Sequence, residues 1–286
     1  MFLMIGYVIA LGAIFGGFAL EGGQLMALMQ PYELLMIAGG ALGTFFASTF
    51  PKSFKATLKA FPQALKGSKY TKSAYLELLS LLNELFTRIR QGGLMSVEGD
   101  VDDPQSSELF KKYPRILGDH HILEFITDYL RLMVGGNLGA FEMENLMDVD
   151  IETHHREQEI PIHALTRAAD GMPAFGIVAA VMGVVHTMAS VDKPPSVLGE
   201  LIAAALVGTF LGILLGYAVV APVAARLEER AEESSKMLEC VKVALLATMN
   251  AYPPQVAIEF GRKVLFSTER PSFQEMDAHL REMKGK

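Results

Sequence analysis

The chain has 286 residues, of which 51% are hydrophobic and 20% are charged, and its formal net charge is −7. Because nucleic-acid binding relies on basic surfaces, this acidic balance argues against a nucleic-acid partner. The single cysteine, Cys240, excludes an internal disulfide and a cysteine-rich metal site.

Four segments without Asp, Glu, Lys or Arg predict helices that cross a membrane, called spans 1 to 4 here. Each is apolar and close to the ~20 residues that a helix needs to cross a bilayer. Pro31 and Tyr32 can extend span 2, which is the shortest. In chain order the predicted spans are residues 2–20, 34–50, 173–191 and 201–222.

The distribution of positive charge predicts the topology. Of the 25 Lys and Arg residues, 14 lie in residues 51–170, 10 lie in residues 223–286, and the last is Lys193. By the positive-inside rule both segments are cytoplasmic, which places both termini in the cytoplasm and leaves short loops at 21–33 and 192–200 outside. The N-terminus lacks a basic region and a cleavage site, so span 1 is predicted to be retained.

The cytoplasmic segments are predicted to be helical. Residues 70–91 carry a dense apolar face, amphipathic helix follows at 119–134 and 141–158, and residues 99–104 are predicted to form a turn. Little of the sequence alternates with period two, so no sheet is predicted. The predicted fold class is an all-α membrane protein with four transmembrane helices, long cytoplasmic helical extensions and a helical cytoplasmic domain.

Span 4 is predicted to continue beyond Pro222, because an apolar heptad stripe follows that residue. From Leu198 to Met249 such a helix is about 78 Å long at ~1.5 Å per residue. The alternative is a separate amphipathic helix after a break at Pro222. The predicted parts of the chain are a transmembrane hairpin at 1–50, a cytoplasmic helical domain at 51–170, spans 3 and 4 at 171–222, and a cytoplasmic extension and tail at 223–286.

Glycines four residues apart mark faces on which the spans are expected to pack closely. Two such pairs lie in spans 1 and 2, and a strip of three lies in span 4. The strip suits close packing against another helix, including one of a neighbouring subunit or a partner. In chain order these glycines are Gly12 and Gly16, Gly39 and Gly43, and Gly208, Gly212 and Gly216.

The spans carry no carboxylate at mid-depth, where a proton path across hydrocarbon usually needs Asp, Glu or His. His186 in span 3 and Glu200 at the start of span 4 lie toward the outer side. Thr209, near the middle of span 4, can coordinate or hydrogen-bond, although such a hydroxyl often bonds to its own helix carbonyl. Either the chain transports nothing, or a partner supplies the titrating group.

Two prolines bracket the predicted cytoplasmic edge of the membrane, Pro173 at the start of span 3 and Pro222 at the end of span 4. They predict either a hinge or two ordinary helix ends. The histidine doublets at 120–121 and 154–155 lack the i, i+4 spacing of helical metal ligands. Since the sequence has no P-loop, nucleophile elbow or paired catalytic carboxylates, neither an enzyme nor a cofactor or metal site is predicted.

Five runs of sequence are more specific than any short motif. In chain order they are Tyr113–Leu117, Met172–His186, Val207–Leu215, Ile258–Lys263 and Glu269–Phe273. These runs resemble the MotA family of flagellar motor stator subunits, part of the MotA/TolQ/ExbB proton channel superfamily, and the resemblance covers nearly the whole chain.

The resemblance implies a homo-oligomer, a pentamer, around a dimer of a MotB-like subunit in the bacterial inner membrane. That partner has a single span with an essential aspartate, the titrating group that this chain lacks. Thr209 and Ala180 fall where the family places residues beside the ion path. Because sodium-type relatives usually carry threonine at the Ala180 position, alanine implies H⁺ as the transported ion.

The resemblance also implies roles for residues outside the ion path. Arg90 and Glu98 match the pair through which the family engages the rotor protein FliG, and the two prolines match those held to couple protonation to movement. Asp150 stands where glutamate is more usual, and Glu200 stands where the family is often uncharged.

The implied function is an ion-driven torque generator, and four alternatives stay open at this point. An ExbB/TolQ-like energiser shares the paired inner spans and a carboxylate-bearing partner, but typically has three spans. A sodium-driven stator differs in the ion alone. A transporter acting alone is disfavoured by the lack of carboxylates at mid-depth. A passive scaffold would not explain the long runs that match the family.

Overall fold

The computed structural model describes residues 2–136 and 138–284, with the exception of the Lys284 side chain. These residues are mostly helical and contain no strand, which confirms the all-α prediction. Four helical segments are long and apolar enough to cross a membrane. In chain order the α-helices are α1 (Phe2–Leu20), α2 (Pro31–Ser48), α3 (Pro51–Leu65), α4 (Lys72–Gly92), α5 (Glu98–Asp102), α6 (Pro114–Leu117), α7 (His120–Gly135), α8 (Ala140–Met188), α9 (Pro195–Ile213), α10 (Ala221–Met249), α11 (Pro254–Val264) and α12 (Phe273–Lys284).

Proline begins five of these helices, α2, α3, α6, α9 and α11. The first helical position tolerates proline because its missing N–H would have no intrahelical partner there. The helix of span 2 starts at Pro31, one of the two residues that can extend the predicted span 34–50. Short 3₁₀ turns at Leu25–Leu28, Leu94–Val97 and Phe110–Lys112 complete the connections.

The turn predicted at 99–104 is wrong, because α5 occupies Glu98–Asp102. The Val101 side chain of α5 is only 1% exposed and packs in the apolar core, to which α4 and α7 also contribute residues. Burial of one apolar side chain contributes about 1.5–3 kcal/mol, which compensates a short helix rich in glycine and aspartate.

Helical structure continues through the internal prolines. Pro173 lies inside α8, and a seven-residue π-helix, Leu214–Val220, joins α9 to α10 just before Pro222. The extension of span 4 beyond Pro222 is thereby confirmed, and the alternative of a break at that residue is wrong.

The chain divides into two compact units. The first contains Met1–Gly67 and Gln158–Glu229, and the second contains Ser68–Glu157 and Arg230–Lys286. In the first unit α1 buries none of its residues, whereas Ile37 of α2 is fully buried.

The second unit is built around an apolar core. The predicted face of residues 70–91 is confirmed: Leu78, Leu82 and Leu85 are fully buried. Cys240 is also fully buried, and burial raises the pKa of its thiol. Gly261 packs directly on it, because a Cβ at Gly261 would lie 2.9 Å from the Cys240 carbonyl oxygen.

One buried arginine explains two of the specific sequence runs. Arg262 donates from Nε and Nη2 to both carboxylate oxygens of Glu259 at 2.6 and 2.5 Å, and from Nη1 to the Pro271 carbonyl at 2.7 Å. This pairing lowers the pKa of Glu259. The runs Ile258–Lys263 and Glu269–Phe273 are therefore joined by one side chain.

Candidate functional site

Spans 3 and 4 pack backbone against backbone. A Cβ placed on Gly212 would lie 2.6 Å from the Met172 carbonyl oxygen and 2.9 Å from the Gly176 Cα. A Cβ on Gly176 would in turn lie 2.8 Å from the Gly208 carbonyl oxygen. Such distances leave no room for any side chain, so the helices approach as closely as helices in lipid can.

The partner of the span 4 glycine strip is therefore span 3 of the same chain. Gly216 extends the contact, because a Cβ there would lie 2.5 Å from the Ala169 carbonyl oxygen. Because the three glycines are buried against span 3, the strip is not available for contact with a neighbouring subunit or a partner. Sequence periodicity identified the smooth face but not what lies against it.

The glycine pairs of spans 1 and 2 do not make the predicted close contacts within this chain. Apart from the adjoining residues and backbone of the same helix, no atom of residues 2–136 or 138–284 lies within 4 Å of a Cβ built on any of the four. Span 2 instead approaches span 3 at Gly40, where the Phe175 ring lies 2.5 Å from such a Cβ. The open glycines are Gly12, Gly16, Gly39 and Gly43.

The same interface brings Thr209 and Ala180 to neighbouring positions. A Cβ on Gly208 would lie 3.5 Å from the Ala180 nitrogen, and one on Gly176 would lie 3.3 Å from the Thr209 Cα. Both Thr209 and Ala180 are half-buried. They therefore lie at the edge of the interface between spans 3 and 4.

The Thr209 hydroxyl has no hydrogen-bond partner among residues 2–136 and 138–284. Two other threonines of the spans bond back to their own helix: Thr44 donates to the Ala41 carbonyl at 3.0 Å and Thr187 to the Gly183 carbonyl at 2.9 Å. The Thr49 hydroxyl, at the end of span 2, has no partner among the described residues. The back-bonding alternative is thus wrong for Thr209, and its hydroxyl is available to a group outside the chain.

The two prolines do not face each other. Pro173 contacts Gly216, since its Cδ lies 3.0 Å from a Cβ placed there. Pro222 follows six residues later, which is about 9 Å along a helix at ~1.5 Å per residue. The π-helix Leu214–Val220 contains Gly216 and ends two residues before Pro222. π-Helices are rare overall, but those that occur are often found at functional sites.

Sequence reasoning missed both this π-helix and its partner on span 1. The Tyr7 hydroxyl donates to the Val219 carbonyl at 2.6 Å. A tyrosine in an apolar span was the available signal, because a hydroxyl in hydrocarbon must find an acceptor. No sequence pattern predicts the switch to i→i+5 bonding.

The predicted rotor-binding pair lies on the surface of the second unit. Arg90 in the last turn of α4 and Glu98 at the start of α5 are both exposed. Neither makes an ion pair within the part of the chain that the structure describes. Gly93, with φ +76°, ends α4, and fully buried Val97 anchors the turn between the two charges.

Arg88, only two residues before Arg90, has a different environment. Its guanidinium binds Asp100 at 2.8 Å and Glu84 at 3.4 Å. Lys112 and the Tyr113 hydroxyl also contact Glu84, at 2.8 and 3.2 Å. Arg88 therefore stabilises the packing of α4 against α5, whereas Arg90 is exposed to solvent.

The histidines form no metal site among the described residues. His154 lies in the second unit with its ring 4.7 Å from that of His121 and its Nε2 3.2 Å from the Ser234 hydroxyl. Burial, and secondarily the neighbouring His121, lowers the pKa of His154. Asp150 accepts a hydrogen bond from the Tyr129 hydroxyl at 3.1 Å, and Glu200 is exposed.

Comparison with known proteins places these features in a family. Residues 4–93 match the family described as Motility protein A N-terminal, and residues 119–240 match the MotA/TolQ/ExbB proton channel family. The chain is 51% identical to Motility protein A of Escherichia coli (strain K12) over 100% of this chain and 97% of that one. It is 50% identical to Motility protein A of Salmonella typhimurium, with the same coverage.

The fold has a solved counterpart. A structure of MotAB from C. jejuni superposes with a TM-score of 0.79 over 95% of this chain and 98% of that chain, at 21% identity.

Proposed function

Since this chain belongs to the motility protein A family, within the MotA/TolQ/ExbB proton channel family, we propose that it is a stator subunit of the bacterial flagellar motor. It couples proton flow through a complex with a MotB-like partner to torque on the rotor. The observation that carries this proposal is the Thr209–Ala180 edge, a half-buried position whose hydroxyl has no partner among the described residues, in spans that hold no carboxylate at mid-depth.

The missing carboxylate assigns the proton acceptor to the partner. A single-span MotB-like subunit supplies an aspartate beside Thr209 and Ala180. A proton that crosses the membrane potential releases about 2.3 kcal/mol per 100 mV, and its binding removes a buried charge from the path. The alanine at 180 leaves no second hydroxyl for Na⁺, which favours H⁺ over the sodium-driven alternative.

The movement is proposed to occur next to the prolines. Spans 3 and 4 are in backbone contact at Gly176 and Gly212, so they move together. The π-helix and Pro222 lack regular i→i+4 bonding, and this is where bending costs least. Residues 171–222 thus line the ion path, with Pro173 and Pro222 at its hinge.

Residues 51–170 are proposed to carry the rotor contact. Arg90 and Glu98 present opposite charges, and neither has an ion-pair partner among the described residues, so each is free to engage a complementary charge on FliG. Exposed charge pairs favour fast and reversible engagement, which suits a rotor that moves past the stator. The protein is proposed to lie in the bacterial inner membrane with both termini in the cytoplasm. Residues 1–50 form the transmembrane hairpin of spans 1 and 2, and residues 223–286 form the cytoplasmic extension and tail.

The assembly is proposed to be a pentamer of this chain around a partner dimer. The unburied surface of α1 and the open glycines of spans 1 and 2 leave room for such neighbours. Native mass spectrometry of the co-purified complex measures the ratio, and a ratio other than five to two contradicts this part of the proposal.

Deletion of the gene tests the function directly. Paralysed cells with intact filaments, rescued by this gene, are expected. Rescue by Arg90→Asp should fail while the protein stays in the membrane, and the matched charge reversal Arg281→Asp on α12 should rescue. Normal swimming with Arg90→Asp contradicts the rotor assignment, and retained swimming in the deletion strain contradicts the function.

A further inference from the structure

The short helix α3 has three distinct faces. It begins at Pro51, three residues after span 2 ends at Ser48. Its protein-facing strip consists of small side chains, Thr57, Ala60 and Ala64, all buried. A helix that follows a membrane span this closely must run along the membrane surface or directly away from it.

The second face of α3 is apolar and exposed. Leu58 is 66% exposed, Phe61 45% and Leu65 43%. At about 100° per residue these three lie within about 60° of one another around the helix axis. Exposed large apolar side chains on one stripe are a poor fit to water and a good fit to the acyl region of a bilayer.

The third face is basic. Lys52, Lys55 and Lys59 are exposed and also lie within about 60° of one another, on a side away from both other faces. The sequence of α3 contains no acidic residue. None of the three lysines makes an ion pair with any other described residue. Three uncompensated cations therefore lie in a single row.

Aromatic contacts join α3 to the end of span 2. The Phe54 ring, on the apolar stripe, stacks on Phe46 of span 2 at 4.9 Å and lies 5.8 Å from Phe45. Phe46 is itself 59% exposed at the end of the span. The apolar stripe of α3 is thus continuous with the exposed apolar end of span 2, and a bilayer around span 2 would bring the lysines close to its headgroups.

We propose that α3 is a binding surface for anionic phospholipid of the adjacent leaflet. Leu58, Phe61 and Leu65 insert at the acyl boundary, and Lys52, Lys55 and Lys59 bind the phosphates. This goes beyond the proposed stator function, which requires a bilayer but no particular lipid. Each lysine near an anionic surface strengthens binding about fivefold, so three give on the order of 100-fold.

The first test measures lipid binding to the full chain in detergent by native mass spectrometry. Phosphatidylglycerol is expected to bind on the order of 100-fold more tightly than phosphatidylcholine. The variant Lys52→Gln/Lys55→Gln/Lys59→Gln should lose that preference, and the control Lys72→Gln/Lys111→Gln/Lys263→Gln, with the same charge change in the second unit, should keep it. Equal binding of both lipids by the unchanged chain, or an unaltered preference in the α3 variant, overturns the proposal.

The second test identifies what covers the apolar stripe in the assembled complex. Because Cys240 is fully buried, a fluorophore on Leu58→Cys labels this position alone. Tail-brominated phosphatidylglycerol in nanodiscs should quench that fluorophore. If the brominated lipid does not quench the fluorophore, another protein surface covers the apolar stripe. That result overturns the lipid assignment.

Discussion

Substitution of Gly212 by alanine tests whether spans 3 and 4 truly meet through their backbones. The added Cβ would lie 2.6 Å from the Met172 carbonyl oxygen and 2.9 Å from the Gly176 Cα. Ordinary contact begins at 3.4 Å, so the helices must separate by about 0.8 Å. Neither obstacle is the flexible end of a side chain, so no rotamer change relieves the clash.

The cost follows from that separation. A gap of about 0.5–1 Å forfeits a quarter to a half of the dispersion attraction of each contact across it. Overpacking of this kind typically costs about 1–3 kcal/mol. The better helix propensity of alanine offsets up to about 1 kcal/mol of this loss. A net destabilisation of about 1–2 kcal/mol is therefore expected.

The assay is thermal stability of the full chain in detergent, followed by size-exclusion chromatography after heating. The matched control is Gly39→Ala, the same change in span 2, where the new Cβ has no atom within 4 Å in the described part of the chain outside its own helix. Gly212→Ala should aggregate at a lower temperature than Gly39→Ala. Equal midpoints for the two variants would refute the backbone contact.

Three further variants test single side chains. Thr209→Val should slow ion-driven rotation of tethered cells up to about tenfold, the loss of one hydrogen bond, whereas Thr44→Val should not. Because burial lowers the pKa of His154 below its ordinary 6.5, the folded second unit is most stable above pH 6.5 and loses stability as the pH falls below it. A thiol-reactive dye that labels Cys240 only when this buried residue becomes exposed should show a lower unfolding midpoint at lower pH. The variant His154→Gln should weaken this dependence of the midpoint on pH. Arg262→Met removes three side-chain hydrogen bonds, and the same dye should show a loss of about 2–3 kcal/mol; an unchanged midpoint contradicts the role assigned to this arginine.

Much of the fold was predictable because it depends on local patterns. The spans follow from charge-free segments of bilayer length, and the helix beyond Pro222 follows from a heptad stripe that includes Leu238 and Leu245, both buried. The turn at 99–104 was mispredicted because composition suggested it, and tertiary burial of Val101 decided otherwise.

The candidate site was less predictable because it depends on pairing between distant segments. Periodicity marks Gly212 as smooth but does not show that it meets Gly176 rather than another chain. In the same way Gly39 and Gly40 are equivalent in sequence, and only Gly40 has a ring against it. The free hydroxyl of Thr209 is visible only once its neighbours are known.

The backbone contact between spans 3 and 4 has a consequence for how force passes through this protein. At its closest points the interface consists of backbone, alanine and proline atoms, which have no flexible rotamers to rearrange when a load is applied. Under the stator function proposed above, the two helices would move as one rigid unit, and bending would concentrate in the seven residues of the π-helix. On that proposal, a small displacement at one end of the pair becomes a directed movement about the π-helix.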